Sequence, residues 1–146
     1  MSRRPLRGRD AAGRPVPLDS PAAVEPVPEI DRSPQDTLAL ARELLAAGRP
    51  FYAHDVLEGT WKLAPAADRP LWKALAQLCV GLTHEQRGNL VGAVRLLRRG
   101  ASGLSDHLGR PGARAYGVPT DALVAAALER AERLEDGGVP GRPLML

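Results

Sequence analysis

The sequence predicts an all-α protein, a single-domain bundle of about five helices preceded by an extended arm rich in proline and arginine. Two observations carry this prediction. Ala, Leu and Arg dominate the 146 residues and only 3% are aromatic, a composition that favours helices over strands. Apolar residues also recur at spacings of three and four, the period of a helix face, and no segment shows the alternation of a strand.

Composition divides the chain into three parts. Residues 1–32 are predicted to be an extended or disordered arm, because five of the fourteen prolines lie between positions 15 and 28. Composition alone favours disorder, and the alternative is an arm that lies across the bundle through Val16, Leu18 and Val24. Residues 33–136 are predicted to form the bundle, and residues 137–146 a C-terminal tail.

Capping residues set the predicted helix boundaries. Ser33 is an N-cap followed by Pro34 at the first helical position. Gly48 ends this first helix and Pro50 begins the second. The later boundaries are a cap at Asp68 for the third helix, the Gly88–Asn89 turn before the fourth, and a fifth helix from Thr120 to the Gly137–Gly138 stop. In the third helix, Trp72 and Cys79 are predicted to be buried.

The second helix carries the candidate site, in the segment F-Y-A-H-D-V-L-E-G-T-W from Phe51 to Trp61. At 100° per residue, His54 and Glu58 fall among Phe51, Leu57 and Trp61 within roughly a third of the circumference. This arrangement predicts an ionisable pair in the middle of an apolar face. Such a pair is costly unless it is hydrogen-bonded, charge-paired or metal-bound.

Gln77 and His84 extend this set from the third helix. They are seven residues apart and therefore share one line of that helix. If the second and third helices pack antiparallel, His54, Glu58 and His84 form a candidate metal set with one open position, and a divalent metal is the candidate cofactor. The structural alternative, favoured for the set as a whole, is a buried His–Glu hydrogen bond with no ligand. Asp55 points away and is predicted to be solvated, and Asp106–His107 is predicted to be a surface pair.

Three segments resemble a known family. They are P-F-Y-A-H-D-V-L-E-G-T-W from Pro50, L-W-K-A-L-A-Q-L-C-V-G-L-T-H from Leu71 and R-G-N-L-V-G-A from Arg87. Together they resemble the bacterial and archaeal domain-of-unknown-function family 309, and the resemblance is firmest from Pro50 to Ala93. It implies an all-helical fold and no established activity. The arm also resembles the leader of family members, through Arg9-Asp10 and Gly13-Arg14-Pro15-Val16-Pro17, which favours an arm ordered against the bundle. The hallmark positions that it implies are Phe51, His54, Leu57, Glu58, Trp61, Gln77, His84, Gly88 and Asn89.

Three functional hypotheses follow for a bacterial, cytoplasmic protein. The first is a partly buried pocket of His54, Glu58, Gln77 and His84, walled by Phe51 and Trp61, that binds a metal ion or small polar ligand. The second is an interaction or homodimerisation module in which the polar set is structural. The third, nucleic-acid binding by the Arg95, Arg98 and Arg99 face, is discounted because the basic residues are scattered along the chain. No apolar run is long enough to span a membrane.

Overall fold

Five helices make up most of the computed structural model, which describes residues 7–138 and 143–146. The helices are α1 (Pro34–Ala46), α2 (Pro50–Leu63), α3 (Arg69–Gln86), α4 (Leu90–Leu108) and α5 (Thr120–Glu135). The predicted all-α fold class is therefore confirmed. Residues 1–6 of the predicted arm and 139–142 of the predicted tail lie outside the described residues. Within the described ranges, no helix combines the length and hydropathy needed to cross a membrane.

The helix boundaries follow the capping residues. Ser33 accepts a hydrogen bond of 3.1 Å from the main-chain N–H of Asp36, and Asn89 accepts one of 3.0 Å from that of Gly92. Gly48 and Gly88 take φ values of 71° and 81°, which let the chain turn sharply after α1 and α3. Tight turns of this kind place consecutive helices side by side.

The core is centred on α3, which packs against both α2 and α4. Trp72 and Leu75 are 0–1% exposed, and Cys79 is fully buried, as predicted. On the far side of α4, α5 completes the bundle, and α1 packs on α2. Each helix thus buries its apolar face against its neighbour in sequence, and α2 lies near one edge with part of its surface open.

A short hairpin precedes the helices. The strands β1 (Arg7–Arg9) and β2 (Pro15–Pro17) pair antiparallel, with Gly8 opposite Val16. The sequence predicted no strand, because three-residue strands are too short for an alternating pattern to be recognised and prolines obscure it further. Of the predicted arm contacts, Val24 packs against the core, whereas Leu18 is 56% exposed.

Hydrogen bonds attach the hairpin to α2 and to the end of α3. The hydroxyl of Tyr52 donates to the main-chain carbonyl of Asp10 at 3.0 Å. The guanidinium of Arg87 donates twice to the carbonyl of Ala12, at 3.0 and 2.6 Å. At the other end of the chain, Leu144 and Leu146 are buried. The hydrogen bonds of Tyr52 and Arg87 to the hairpin place residues 7–32 directly beside the open surface of α2.

Candidate metal and ligand site on α2

His54 and Glu58 lie at the edge of the apolar face of α2, not in its middle. Their side chains are 23% and 33% exposed. The buried face is formed by Pro50, Tyr52, Ala53, Val56 and Leu57. The predicted apolar stripe does not include Tyr52 and Val56. Because both are buried, the core-facing side of α2 lies further from His54 than the sequence predicts.

His54 forms a compact group with two carboxylates. Its Nε2 lies 3.0 Å from Oε2 of Glu58, one turn further along α2, and its Nδ1 lies 3.3 Å from Oδ1 of Asp55. One ligand atom from each of the three residues can be chosen so that all lie within 4.8 Å of one another. Asp55 is 53% exposed, as predicted, but its carboxylate turns toward His54, so the prediction that it points away from the site was wrong.

One ring nitrogen of His54, Nδ1, has no hydrogen bond. Nδ1 is buried, and although Oδ1 of Asp55 is 3.3 Å away, the two are not aligned for hydrogen bonding. A buried polar atom without a partner is uncommon in native proteins. The ring of Phe51, one turn earlier, is tilted against the imidazole, with 6.1 Å between the two ring centres. His54 therefore lies close to the carboxylates of Asp55 and Glu58, while its Nδ1 lacks a hydrogen bond.

The remaining predicted residues take other positions. His84 accepts, through Nδ1, a hydrogen bond of 3.2 Å from the side-chain amide of Asn89, at the turn between α3 and α4. The amide oxygen of Gln77 lies beside Gly103 of α4. Trp61 packs partly buried against the core. In the described part of the chain, the group with metal-ligand spacing is His54, Asp55 and Glu58, so two of the three predicted ligands come together and Asp55 joins them.

A groove of about 840 Å³ borders this group. One wall is the extended segment 26–32, and the other is the side of α2 between Phe51 and Leu63. Asp55 and Glu58 both line the groove. Any ion held by the three-residue group would consequently be accessible from the groove.

A buried carboxylate at the far end of the groove was not identified from the sequence. Asp68 is 2% exposed, and its side chain makes no capping hydrogen bond to α3. It accepts instead from Nη2 of Arg114 at 2.8 Å and from the hydroxyl of Tyr116 at 2.5 Å. The hydrogen bond to Asp68, together with burial and the carboxylate charge, raises the pKa of Tyr116 above 10.0. Forty-six residues separate Asp68 from Arg114, so no local pattern could predict this pair.

His107 is also buried, and its prediction as a surface residue was wrong. It is 0% exposed, and its Nε2 donates to the carbonyl of Arg114 at 2.8 Å. The signal was present in the sequence, because His107 follows Leu104 by three residues and continues the stripe of Leu97 and Ala101. His107 anchors the loop that carries Arg114 and Tyr116.

The arginines of the third hypothesis lie on the outer surface of α4. Arg95, Arg98 and Arg99 are exposed. Arg98 forms an ion pair with Glu135 of α5. Part of the charge on this face is thus compensated within the bundle.

The fold and site define a small helical bundle with a His–carboxylate group on an exposed edge. Residues 38–96 match the family model described as a domain of unknown function, DUF309. This match confirms the resemblance to family 309, and the matched segment includes His54, Asp55, Glu58, Gln77 and His84. Neither the curated proteins nor the solved structures contain a match to the chain.

Proposed function

We propose that His54, Asp55 and Glu58 bind a divalent metal ion. The observation that carries this proposal is the set of ligand atoms within 4.8 Å of one another on a single turn of α2. One imidazole nitrogen and two carboxylate oxygens are ligands that Zn²⁺ and related first-row ions accept. With neutral His54, the group has a charge of about −2, which a divalent ion neutralises.

The distances support simultaneous ligation. Two ligands about 2.1 Å from an ion at a tetrahedral angle are roughly 3.4 Å apart. The distance from Nδ1 of His54 to Oδ1 of Asp55, 3.3 Å, is close to this value. One imidazole gives a single nitrogen to an ion, and Glu58 now lies 3.0 Å from the other nitrogen, Nε2. Glu58 would therefore complete the group through a carboxylate oxygen within 4.8 Å of the other two ligand atoms. Ligation through Nδ1 would also give the unpartnered nitrogen of His54 a partner. Three protein ligands leave an open position, as in metal sites that bind water or substrate.

Lys62 competes with a metal ion for Glu58. Its Nζ lies 3.5 Å from Oε1 of Glu58, and a cation this close weakens the binding of another. The Lys62 side chain is 67% exposed, however, and exposed ion pairs of this type contribute less than about 1 kcal/mol. Lys62 can therefore swing into solvent at small cost.

Metal titration of the untagged protein tests the proposal. Zn²⁺ and Co²⁺ are added to chelator-treated wild type, and binding is followed by calorimetry and by the visible spectrum of Co²⁺. We expect one ion per chain, lost in His54→Ala and weakened at least tenfold in Asp55→Asn. Lys62→Ala should bind more tightly than wild type, because the competing cation is removed.

His84→Ala is the matched control, since His84 was predicted as a ligand but bonds to Asn89. Retained binding in this variant supports the group of His54, Asp55 and Glu58. Loss of binding in both histidine variants would favour the originally predicted set of His54, Glu58 and His84. Absence of binding in wild type would leave the His54–Glu58 pair as a structural hydrogen bond.

A further inference from the structure

The groove between residues 26–32 and α2, here called the arm groove, has features unrelated to metal binding. It runs beside α2 from Tyr52 to Leu63 and ends near Asp68 and Tyr116. The eleven helical steps from Tyr52 to Leu63 cover about 16 Å at 1.5 Å per residue. An extended chain rises about 3.3 Å per residue, so the arm groove is long enough for about five residues of an extended peptide.

The main chain of the arm wall is available for pairing. The N–H groups of Val27, Glu29 and Ile30 make no hydrogen bond with any part of the chain that the structure describes. The side chain of Arg32 folds back onto the carbonyls of Pro28 and Ile30. Extended segments with unpaired N–H groups recognise peptides through main-chain hydrogen bonds, as in strand addition.

Apolar side chains stand exposed on both walls. Ile30 on the arm is 63% exposed, and Leu63 at the end of α2 is 68% exposed. Gly59 also lines the helix wall, and a Cβ built there would have no neighbour within 4 Å. The side chains of Ile30 and Leu63 thus offer apolar surface inside the groove that an apolar side chain of a bound segment would cover.

The charge of the arm groove is opposite to that of the whole chain. The full sequence has a formal charge of +3. The groove lining contains five carboxylates and three basic side chains, namely Glu29, Asp31, Asp55, Glu58 and Asp68 against Arg9, Arg32 and Lys62. The carboxylates of Glu29 and Asp31 form no ion pair with other described residues. Asp68 is paired with Arg114 and Glu58 with Lys62, so the unpaired negative charge of the groove lies mainly on Glu29 and Asp31, which favours a basic ligand.

We propose that the arm groove binds an extended segment of a partner protein, about five residues long, that combines Lys or Arg with an apolar side chain. Main-chain groups of residues 27–30 pair with the peptide, and its basic side chain faces Glu29 and Asp31. Its apolar side chain covers Ile30 and Leu63. Binding of this kind requires no metal ion.

A peptide array tests this proposal on chelator-treated full-length protein, so that its result does not depend on the metal site. Immobilised octapeptides of randomised sequence are probed with labelled protein, and the strongest binder is then measured in solution by fluorescence anisotropy. We expect enrichment of peptides that contain both basic and apolar residues. Enrichment of acidic peptides, or no enrichment, would overturn the proposal. Binding of spermine without any peptide selection would overturn it in favour of a small organic cation.

Paired variants identify the surface that binds. Leu63→Ser and Asp31→Lys alter the two walls, and both should weaken the selected peptide at least tenfold. Leu128→Ser and Glu132→Lys make the same chemical changes at exposed positions of α5, and both should leave its affinity within twofold of wild type. Equal effects from the groove variants and the α5 variants would show that binding occurs elsewhere. Circular dichroism of all four variants confirms that each is folded.

Discussion

The thiol of Cys79 has no access to solvent on α3, and burial raises its pKa from 9.0 to about 12. Between these values the native state keeps the proton while the unfolded state releases it. The unfolded state then binds fewer protons, so the free energy of unfolding falls as pH rises above 9. The fall is at most about 1.4 kcal/mol per pH unit.

We therefore expect wild type to lose stability between pH 8 and 10 more steeply than Cys79→Ala, as measured by urea denaturation. The comparison stops at pH 10 because the pKa values of Tyr52 and Tyr116 are raised above 10.0 and affect stability at higher pH. Parallel curves for the two proteins would show that the thiol titrates equally in both states. Native protein should also resist thiol-specific reagents, since the thiolate is the reactive form.

Individual residues differ in how well the sequence predicts their environment. Burial of Cys79 and Trp72 follows from their place on the helix period of α3, and the structure confirms both. The network of Asp68, Arg114 and Tyr116 depends on contacts between residues 46 and 48 positions apart. Periodicity contains no information about such contacts. The sequence therefore predicts which side chains face inward more readily than which polar partners they meet.

At the scale of elements, glycines decide how closely α3 and α4 approach. A Cβ on Gly100 of α4 would lie 2.6 Å from Cδ2 of Leu78 and 3.0 Å from the main-chain oxygen of Ala74. The oxygen belongs to the backbone of α3 and cannot move aside alone. Gly100→Ala is thus expected to force the two helices apart and to destabilise the protein by about 1–3 kcal/mol.

Gly59→Ala is the matched control on α2, where a Cβ meets nothing within 4 Å. Alanine favours a helix interior over glycine, so this variant should be more stable than wild type by about 0.5–1 kcal/mol. Thermal and urea unfolding of both variants measure the difference. Similar shifts of the same sign in Gly59→Ala and Gly100→Ala would mean that helix propensity, and not the approach of α3 to α4, controls the result.

The elements themselves were largely predictable, because their ends are set by local chemistry. Ser33, Gly48 and Asn89 act at their own positions through caps and turns, and each marks the predicted boundary. The hairpin of β1 and β2 was not predictable in the same way. Its three-residue strands are defined by pairing with each other and by the helices beneath them, which no short window of sequence shows.

At the scale of the whole molecule, the arrangement of helix faces determines which polar residues meet. The sequence placed Gln77 and His84 on one line of α3 but could not show which neighbour that line faces. In the structure Gln77 lies beside α4, and His84 bonds to the turn that follows α3. The candidate metal site consequently lies on α2 alone, and the groove beside it also depends on the arm, which tertiary contacts position.

Gly13 lies where the arm contacts α2, and its substitution tests whether this contact holds the arm in place. Gly13 has a φ of 79°, and its Cα lies so close to Phe51 that an added Cβ would overlap the aromatic ring. The guanidinium groups of Arg9 and Arg87 also lie near this ring, 5.8 and 5.6 Å from its centre. Gly13→Ala therefore creates both backbone strain and a clash at the centre of the docked hairpin.

We expect Gly13→Ala to loosen the arm while the five helices remain folded. Hydrogen exchange measures this directly, because the amides of Asp10 and Val24 are bonded to Arg14 and Arg9 within the arm. Both amides should exchange at least tenfold faster in the variant, and helix amides at unchanged rates. Gly112→Ala is the control, because Gly112 has a φ of 71° but no neighbour within 4 Å, so it adds strain without a clash. Equal exchange of the arm amides in Gly13→Ala and wild type would show that the hairpin holds its position without the close contact to Phe51. Faster exchange in Gly13→Ala alone would establish the Gly13 turn against Phe51, through its backbone conformation and its close contact together, as the attachment of the arm and with it of the groove wall formed by residues 26–32.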